Sequence, residues 1–214
     1  MSSWIKKGLD IDGLTVNERF GWSVKFSDNE NIFIVGATKN NAGGNTRGCA
    51  RVFEWVNNAW VQKGSTINGK TDNENCGVSV DINSSGNIIA IASDLNSETA
   101  NSSGMVRLYY WNNTDWSQLG NDIFCSVTGA QSGKFISLSK DENVIAIGAP
   151  NDFSFGKVRI YDLLNNVWTQ RGITLSGNST TKMDGPVHLN NNGLVLAILN
   201  TDGKMQIYDW QPSY

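Results

Sequence analysis

Four side chains with acid–base chemistry fall at one position of a repeating pattern: Lys25, Asp81, Ser137 and His188. An ammonium, a carboxylate, a hydroxyl and an imidazole are the parts from which proton transfer and acyl transfer are built. Each comes from a different copy of the pattern and no two are sequence neighbours, so any shared chemistry depends on how the copies are arranged. With that strand innermost in a ring, the four approach one another near the central axis. The plainer reading is a polar column of solvated or mutually paired residues beside a narrow channel. His188 is the sole histidine, which leaves no His-based metal site. No nucleophile motif, phosphate-cradling glycine loop or metal-ligand spacing stands out. The expectation is therefore a protein without catalytic residues, cofactor or metal.

The elements that position these residues are read from tandem copies recurring every 52–56 residues. Trp4-Ile5-Lys6-Lys7-Gly8-Leu9-Asp10-Ile11 matches the segments beginning at Trp60, Trp116 and Trp168, with Trp, Gly and a terminal aliphatic at constant spacing. Each copy continues through an alternating segment: Val24/Phe26, Val80/Ile82, Ile136/Leu138, Val187/Leu189. That period of two marks a strand. A nearly continuous apolar run follows (Ile32 to Val35, Ile88 to Ile91, Val144 to Ile147, Leu194 to Ile198), fitting a strand buried on both faces. The third segment is aromatic and β-branched, from Arg51, Arg107, Arg159 and Gln206 onward. Asn- and Gly-rich turns join the strands, including Asn57-Asn58, Asn112-Asn113, Asn165-Asn166 and the turn over 140–143.

These segments predict an all-β fold: a four-bladed β-propeller with four antiparallel strands per blade. The blades run over about 20–67, 76–123, 132–175 and 183–210. The Trp segment is the outer strand of the blade before it, so 4–11 has no blade of its own and the last blade has no outer strand. The expected completion pairs Trp4–Leu9 with Lys204–Trp210 and closes the ring. A monomer follows, with exchange of N-terminal strands or an eight-bladed dimer as alternatives.

The stretch Phe20-Gly21-Trp22-Ser23-Val24 with Ile34-Val35-Gly36-Ala37, and Ser132-Gly133 with Gly148-Ala149-Pro150, resembles the FG-GAP repeat of integrin-α-type propellers. The second and fourth copies depart from it, with Cys76-Gly77 and Ile91-Ala92-Ser93, and with Met183-Asp184-Gly185 and Ile198-Leu199-Asn200. The Trp-containing form is similar to repeats of giant viruses, marine microbes and phages, which implies an assembly role, including in a virion. The Asp-x-Asp-x-Asp-Gly ligand spacing of integrin calcium loops is missing from all four copies, so calcium is not carried over.

Long polar loops between second and third strands share one face: Thr38 to Gly48, Ser93 to Gly104 and Asn151 to Gly156. They mark a candidate contact surface through Asn40, Asn41, Asn45, Arg47, Asp152, Phe153 and Phe155. The plainer reading is tolerated insertions. Seven of eight tryptophans occupy two repeated positions and are assigned to packing between blades, as is the Arg51/Arg107/Arg159 column.

Composition sets the remaining bounds. The 214 residues carry a net charge of −3, which points away from nucleic acid and anionic membranes. No apolar run approaches transmembrane length, and the first residues lack a signal-peptide core. The chain is expected to stay where it is made, cytoplasmic or virion-associated. Cys49, Cys76 and Cys125 read as small buried hydrophobes, and the sequons at Asn83, Asn101, Asn112 and Asn178 as by-products of composition. The leading function is protein–protein binding or assembly, and the alternative is carbohydrate binding on the long-loop face.

Overall fold

A computed structural model describes residues 2–141 and 143–212. Glu142, in the turn expected over 140–143, and Met1, Ser213 and Tyr214 lie outside the described residues. The chain forms four antiparallel sheets in sequence order. The first holds β1 (Phe20–Phe26), β2 (Ile32–Ala37), β3 (Cys49–Val56), β4 (Ala59–Gln62) and β5 (Ile67–Asn68). The second holds β6 (Cys76–Ile82), β7 (Ile88–Ser93), β8 (Met105–Trp111), β9 (Trp116–Gln118) and β10 (Ile123–Phe124). The third holds β11 (Phe135–Leu138), β12 (Val144–Ala149), β13 (Lys157–Leu164), β14 (Val167–Gln170) and β15 (Leu175–Ser176). The fourth has three strands, β16 (Val187–Leu189), β17 (Val195–Leu199) and β18 (Met205–Asp209).

The outer strand of each complete blade is broken in two. β4 and β5 both pair with β3, and the break between them holds Gly64 at φ +75°. A side chain there would meet the rings of Trp111 and Trp116 at 2.8 Å, so the glycine lets the next blade's indoles lie against the backbone. The Asn57-Asn58 and Asn165-Asn166 turns have both residues at positive φ, between Val56 and Ala59 and between Leu164 and Val167. Those are the mirror-image turns that match strand twist. The expected two-residue turn at Asn112-Asn113 is instead a loop over 112–115, because the Asn112 side-chain oxygen accepts from the Thr114 and Asp115 N–H groups and draws them in.

The sheets are ordered by their first strands: β1 and β2 pack on β6, β6 on β11, and β11 and β12 on β16. Every residue of β2, β7 and β12 is buried, as two-sided packing requires. β17 departs from that expectation, with Leu199 exposed, because among the described strands no further sheet packs on its outer side. Separate apolar clusters fill the gaps between sheets one and two, two and three, and three and four. Among the described residues no helix is long and apolar enough to cross a membrane.

The architecture is thus propeller-like, and the expected closing strand is not formed. Trp4–Ile11 carries no strand, and among the described strands β18 pairs with β17 alone. The segment lies at the opposite end of the array. The Trp60 indole N–H donates to the Lys7 carbonyl (3.1 Å), the Arg51 guanidinium to the Asp12 carbonyl (2.9 Å), and Lys7 Nζ sits 4.9 Å from the Trp55 ring centre. Those contacts hold it on the first sheet, away from β18.

Candidate functional site

The four residues of the polar column occupy equivalent places in β1, β6, β11 and β16, opposite Ile34, Ala90, Ala146 and Ala197. Among the described residues no hydrogen bond joins any two of them. Asp81 is buried and accepts from the backbone N–H of Leu138 in the next sheet (2.8 Å) and of its neighbour Ile82 (2.9 Å). Ser137 repeats the device one sheet on, its Oγ accepting from the Leu189 N–H (3.0 Å). Two of the four therefore stitch first strands together. Lys25 and His188, at the two ends of the array, are exposed. Burial pushes the Asp81 carboxyl above the usual carboxylate range, although its two backbone donors and the charges of Lys25 and Lys140 pull the other way.

The long-loop residues are mostly engaged within the fold. Asn40 is buried, donates to the Glu18 carboxylate and accepts from the Ala42 N–H (2.8 Å). Asn41 caps the Thr46 N–H (2.8 Å), and the Asn45 carbonyl accepts from Asn73 (3.0 Å). Arg47 pairs with Asp72 (2.7 Å), while its carbonyl accepts from Cys76 (2.9 Å). Asp152 is buried between Arg159 (2.6 Å) and Lys157 (3.3 Å). The Phe155 carbonyl accepts from Met183 (2.8 Å). Phe153 stands apart: it is exposed, adopts φ +57°, and has Lys157 Nζ 4.2 Å from its ring centre. The loops thus tie each blade to the entry of the next, and Phe153 is the aromatic ring they offer outward.

Sequence reasoning overlooked two buried acids, Glu18 and Glu74. Each gathers donors around one arginine: Glu18 takes Asn40 and lies 3.6 Å from Arg51, and Glu74 takes Asn96 (2.9 Å) and Ser93 (2.8 Å) and lies 3.9 Å from Arg107. In the third blade the acid's repeat position is Ala130, and Asp152 faces Arg159 instead. In the fourth, Gln206 stands at the arginine position. The signal was present in Thr15-Val16-Asn17-Glu18 and Thr71-Asp72-Asn73-Glu74, a turn in which Thr71 N–H and Oγ bind the Glu74 carboxylate. A buried charge requires a partner, and the arginine column is that partner.

The tryptophans form a ladder along the outer strands. Trp60 donates to the Lys7 carbonyl, Trp116 to Lys63 (2.8 Å) and Trp168 to Leu119 (2.9 Å), each binding the segment of the blade before. Trp55 and Trp111 meet Trp60 and Trp116 edge to face at 5.1 and 5.3 Å. Trp4 and Trp22 are exposed. Between sheets three and four lies an open apolar groove of about 130 Å³, lined by Arg171, Ile173, Leu194, Tyr208 and Trp210 among others.

The ends of the array differ sharply from its interior. Val24 and Phe26 are 51% and 49% exposed, whereas their counterparts Val80 and Ile82 are 3% and 0%. Met205 and Ile207 are each 61% exposed, whereas Ala50 and Val52, at the same places in the first blade, are 0% and 1%. Those two pairs are the faces by which neighbouring blades seal against one another.

The fold and site define an all-β protein of four propeller-like sheets. Two solved structures share the arrangement, one from Bacteroides uniformis and one from Bacteroides fragilis, each described as a "putative 6-phosphogluconolactonase". The first matches with a TM-score of 0.62 and the second with 0.59, both at 14% identity over 88% of this chain and 50% of the other. The likeness is one of fold, and the chain spans about half the length of these structures. No family model and no curated protein matches the sequence. The expected kinship with FG-GAP repeats is thereby corrected: the solved structures that share the fold carry a different description, and no family model supports the resemblance. The virion expectation rested on that resemblance and goes no further.

Proposed function

We propose that this chain is a non-enzymatic assembly module that binds protein through the two terminal faces of its blade array. One observation carries the reading: positions sealed in the interior blades stand open at Val24 and Phe26 on one end and at Met205 and Ile207 on the other. Contiguous apolar surface of this kind is costly in water and is the common mark of an interaction surface. Completing the ring means covering these faces. The polar column supports the same view, since Asp81 and Ser137 are committed to holding strands. Sedimentation velocity tests the proposal. A Phe26→Asp/Ile207→Asp variant is expected to lose association, and an Asn41→Ala/Phe153→Ala variant on the long loops to keep it. The opposite pattern overturns the reading and moves the site to the loop face, where the exposed Phe153 ring suits a glycan.

A further inference from the structure

The tryptophan ladder has a next rung, and its place is the groove between sheets three and four. Each outer-strand indole donates to a carbonyl three residues beyond the preceding outer-strand tryptophan: Trp60 to Lys7, Trp116 to Lys63, Trp168 to Leu119. The next carbonyl in that series belongs to Arg171, and no indole among the described residues donates to it. The glycine after each carbonyl confirms the periodicity. Gly8 lies under Trp55 and Trp60, Gly64 under Trp111 and Trp116, and Gly120 under Trp168, each therefore under an outer-strand indole, but Gly172 lies under the third-strand Trp210 alone. Arg171 and Trp210 both line the groove.

The matching plug is Trp4. Its segment already occupies the outer-strand position of a blade ahead of the first. Lys7 receives Trp60 as Lys63 receives Trp116, and Asp12 receives Arg51 as Asn68 receives Arg107 (2.9 Å each). Trp4 itself is fully exposed and belongs to no strand, and among the described residues no hydrogen bond holds its backbone. The segment is fixed at the head of the array, and β18 lies at the tail. No run of contacts comparable to that between the other first strands joins β16 to β1 among the described strands. The array also overlays on half of a longer solved chain.

We infer that the groove receives Trp4 of a second copy, and that two copies close head to tail into one ring. This rests on the assembly reading and names its partner. The repeat sets the register. Trp55 faces Trp60, Glu54 faces Val61 and Ala50 faces Ile67. By the same pairing Trp4 faces the partner's Trp210, Ile5 the partner's Asp209 and Ile11 the partner's Met205. Val24 and Phe26 then cover the partner's Met205 and Ile207, as Val80 and Ile82 cover Ala50 and Val52 in the cluster between sheets one and two. A head-to-tail contact normally runs on into a filament, but it closes with two copies when each spans half a ring.

Disulfide trapping across Ile5 and Asp209 tests this, since the three native cysteines are free and buried. Chains carrying Ile5→Cys are mixed with chains carrying Asp209→Cys under mild oxidation. The expected result is a covalent pair in high yield from the mixture, with the unmodified chain sedimenting at twice 23.4 kDa. Trp4→Ala, at a fully exposed side chain whose loss leaves the fold intact, should weaken that self-association by at least about 30-fold, the effect of truncating an aromatic anchor. Cross-linking only within the double variant, as an internal loop, overturns the second copy in favour of closure within one chain. Cross-linking in neither case overturns the socket itself. If the chain then still forms a complex that Phe26→Asp disrupts, the assembly reading stands without this partner. A complex indifferent to Phe26→Asp sinks both.

Discussion

Replacing Trp168 by alanine measures how far the tryptophan ladder holds neighbouring blades together. This ring is 4% exposed, packs in the cluster between sheets two and three, and donates to the Leu119 carbonyl at 2.9 Å. Truncating a buried tryptophan costs about 3–5 kcal/mol in lost transfer and residual cavity. Leaving the carbonyl without its donor adds about 1 kcal/mol. Collapse around the site is hindered, because Gly120 lies under the ring and presents no side chain to fill the space. The sum is about 4–6 kcal/mol, a large share of a typical domain's stability of about 5–15 kcal/mol. Trp168→Phe keeps most of the apolar contact and loses the donor, so its cost should be about 1–2 kcal/mol. Urea unfolding followed by far-UV circular dichroism reads both, and with a slope of about 2 kcal/mol/M the alanine variant's midpoint falls by about 2–3 M. An alanine cost below about 1.5 kcal/mol, or equal costs for alanine and phenylalanine, would refute the account of the ladder as a packed, hydrogen-bonded clamp.

Two further outcomes follow from buried titratable groups. Because burial raises the Asp81 carboxyl in the folded chain, the folded state holds that proton more tightly than the unfolded one. Stability relative to Asp81→Asn should therefore fall as pH rises from about 3.9 through the folded value and then level off, losing about 1.4 kcal/mol for each pH unit by which the group is raised. A difference constant from pH 4 to 8 in unfolding titrations would contradict this. Burial likewise pushes the Cys49 thiol up to about 12 and raises that of Cys76. At pH 8 about one Cys49 thiol in 10,000 is ionised. Labelling of both by a thiol reagent should therefore proceed no faster than unfolding, and prompt labelling of either in folded protein would show the burial to be wrong.

Much of the fold was legible because a repeat states each constraint several times. The alternation at Val80/Ile82 and the unbroken run at Ile88 to Ile91 are direct consequences of one face, or two faces, being covered, and the strands fall where those patterns place them. The paired asparagines of the tight turns carry their positive φ in residue type alone. The first segment was misjudged for a related reason. Trp4 to Ile11 matches its three copies in residue type, but a strand exists only beside an edge, and pattern says nothing about which edge is within reach. The break at Gly64 was hidden similarly, since it is imposed by rings from the following blade. The column at Lys25, Asp81, Ser137 and His188 was found at the right places, yet its chemistry depended on burial. Two members turned out to be acceptors for backbone donors 57 and 52 residues away. Glu18 and Glu74 escaped notice because a carboxylate in a polar turn looks solvated until the arginine opposite is seen.

The wandering acid of the arginine clusters carries a lesson about drift among copies. Glu18 and Glu74 sit on the entry segment, whereas Asp152 reaches its arginine from the loop on the other side, where the first two copies have Asn40 and Asn96. The fourth copy has relinquished the arginine altogether, with Gln206 in its place. A buried charge needs an opposite charge or hydrogen-bonding partners close by, and several positions of the chain can supply them. Duplicated units are therefore free to exchange the address of an acid, provided each buried arginine keeps one within reach. A search for relatives by fixed columns of identity passes over such an exchange, and one that asks whether each arginine of the column has an acid from either neighbouring segment recognises it.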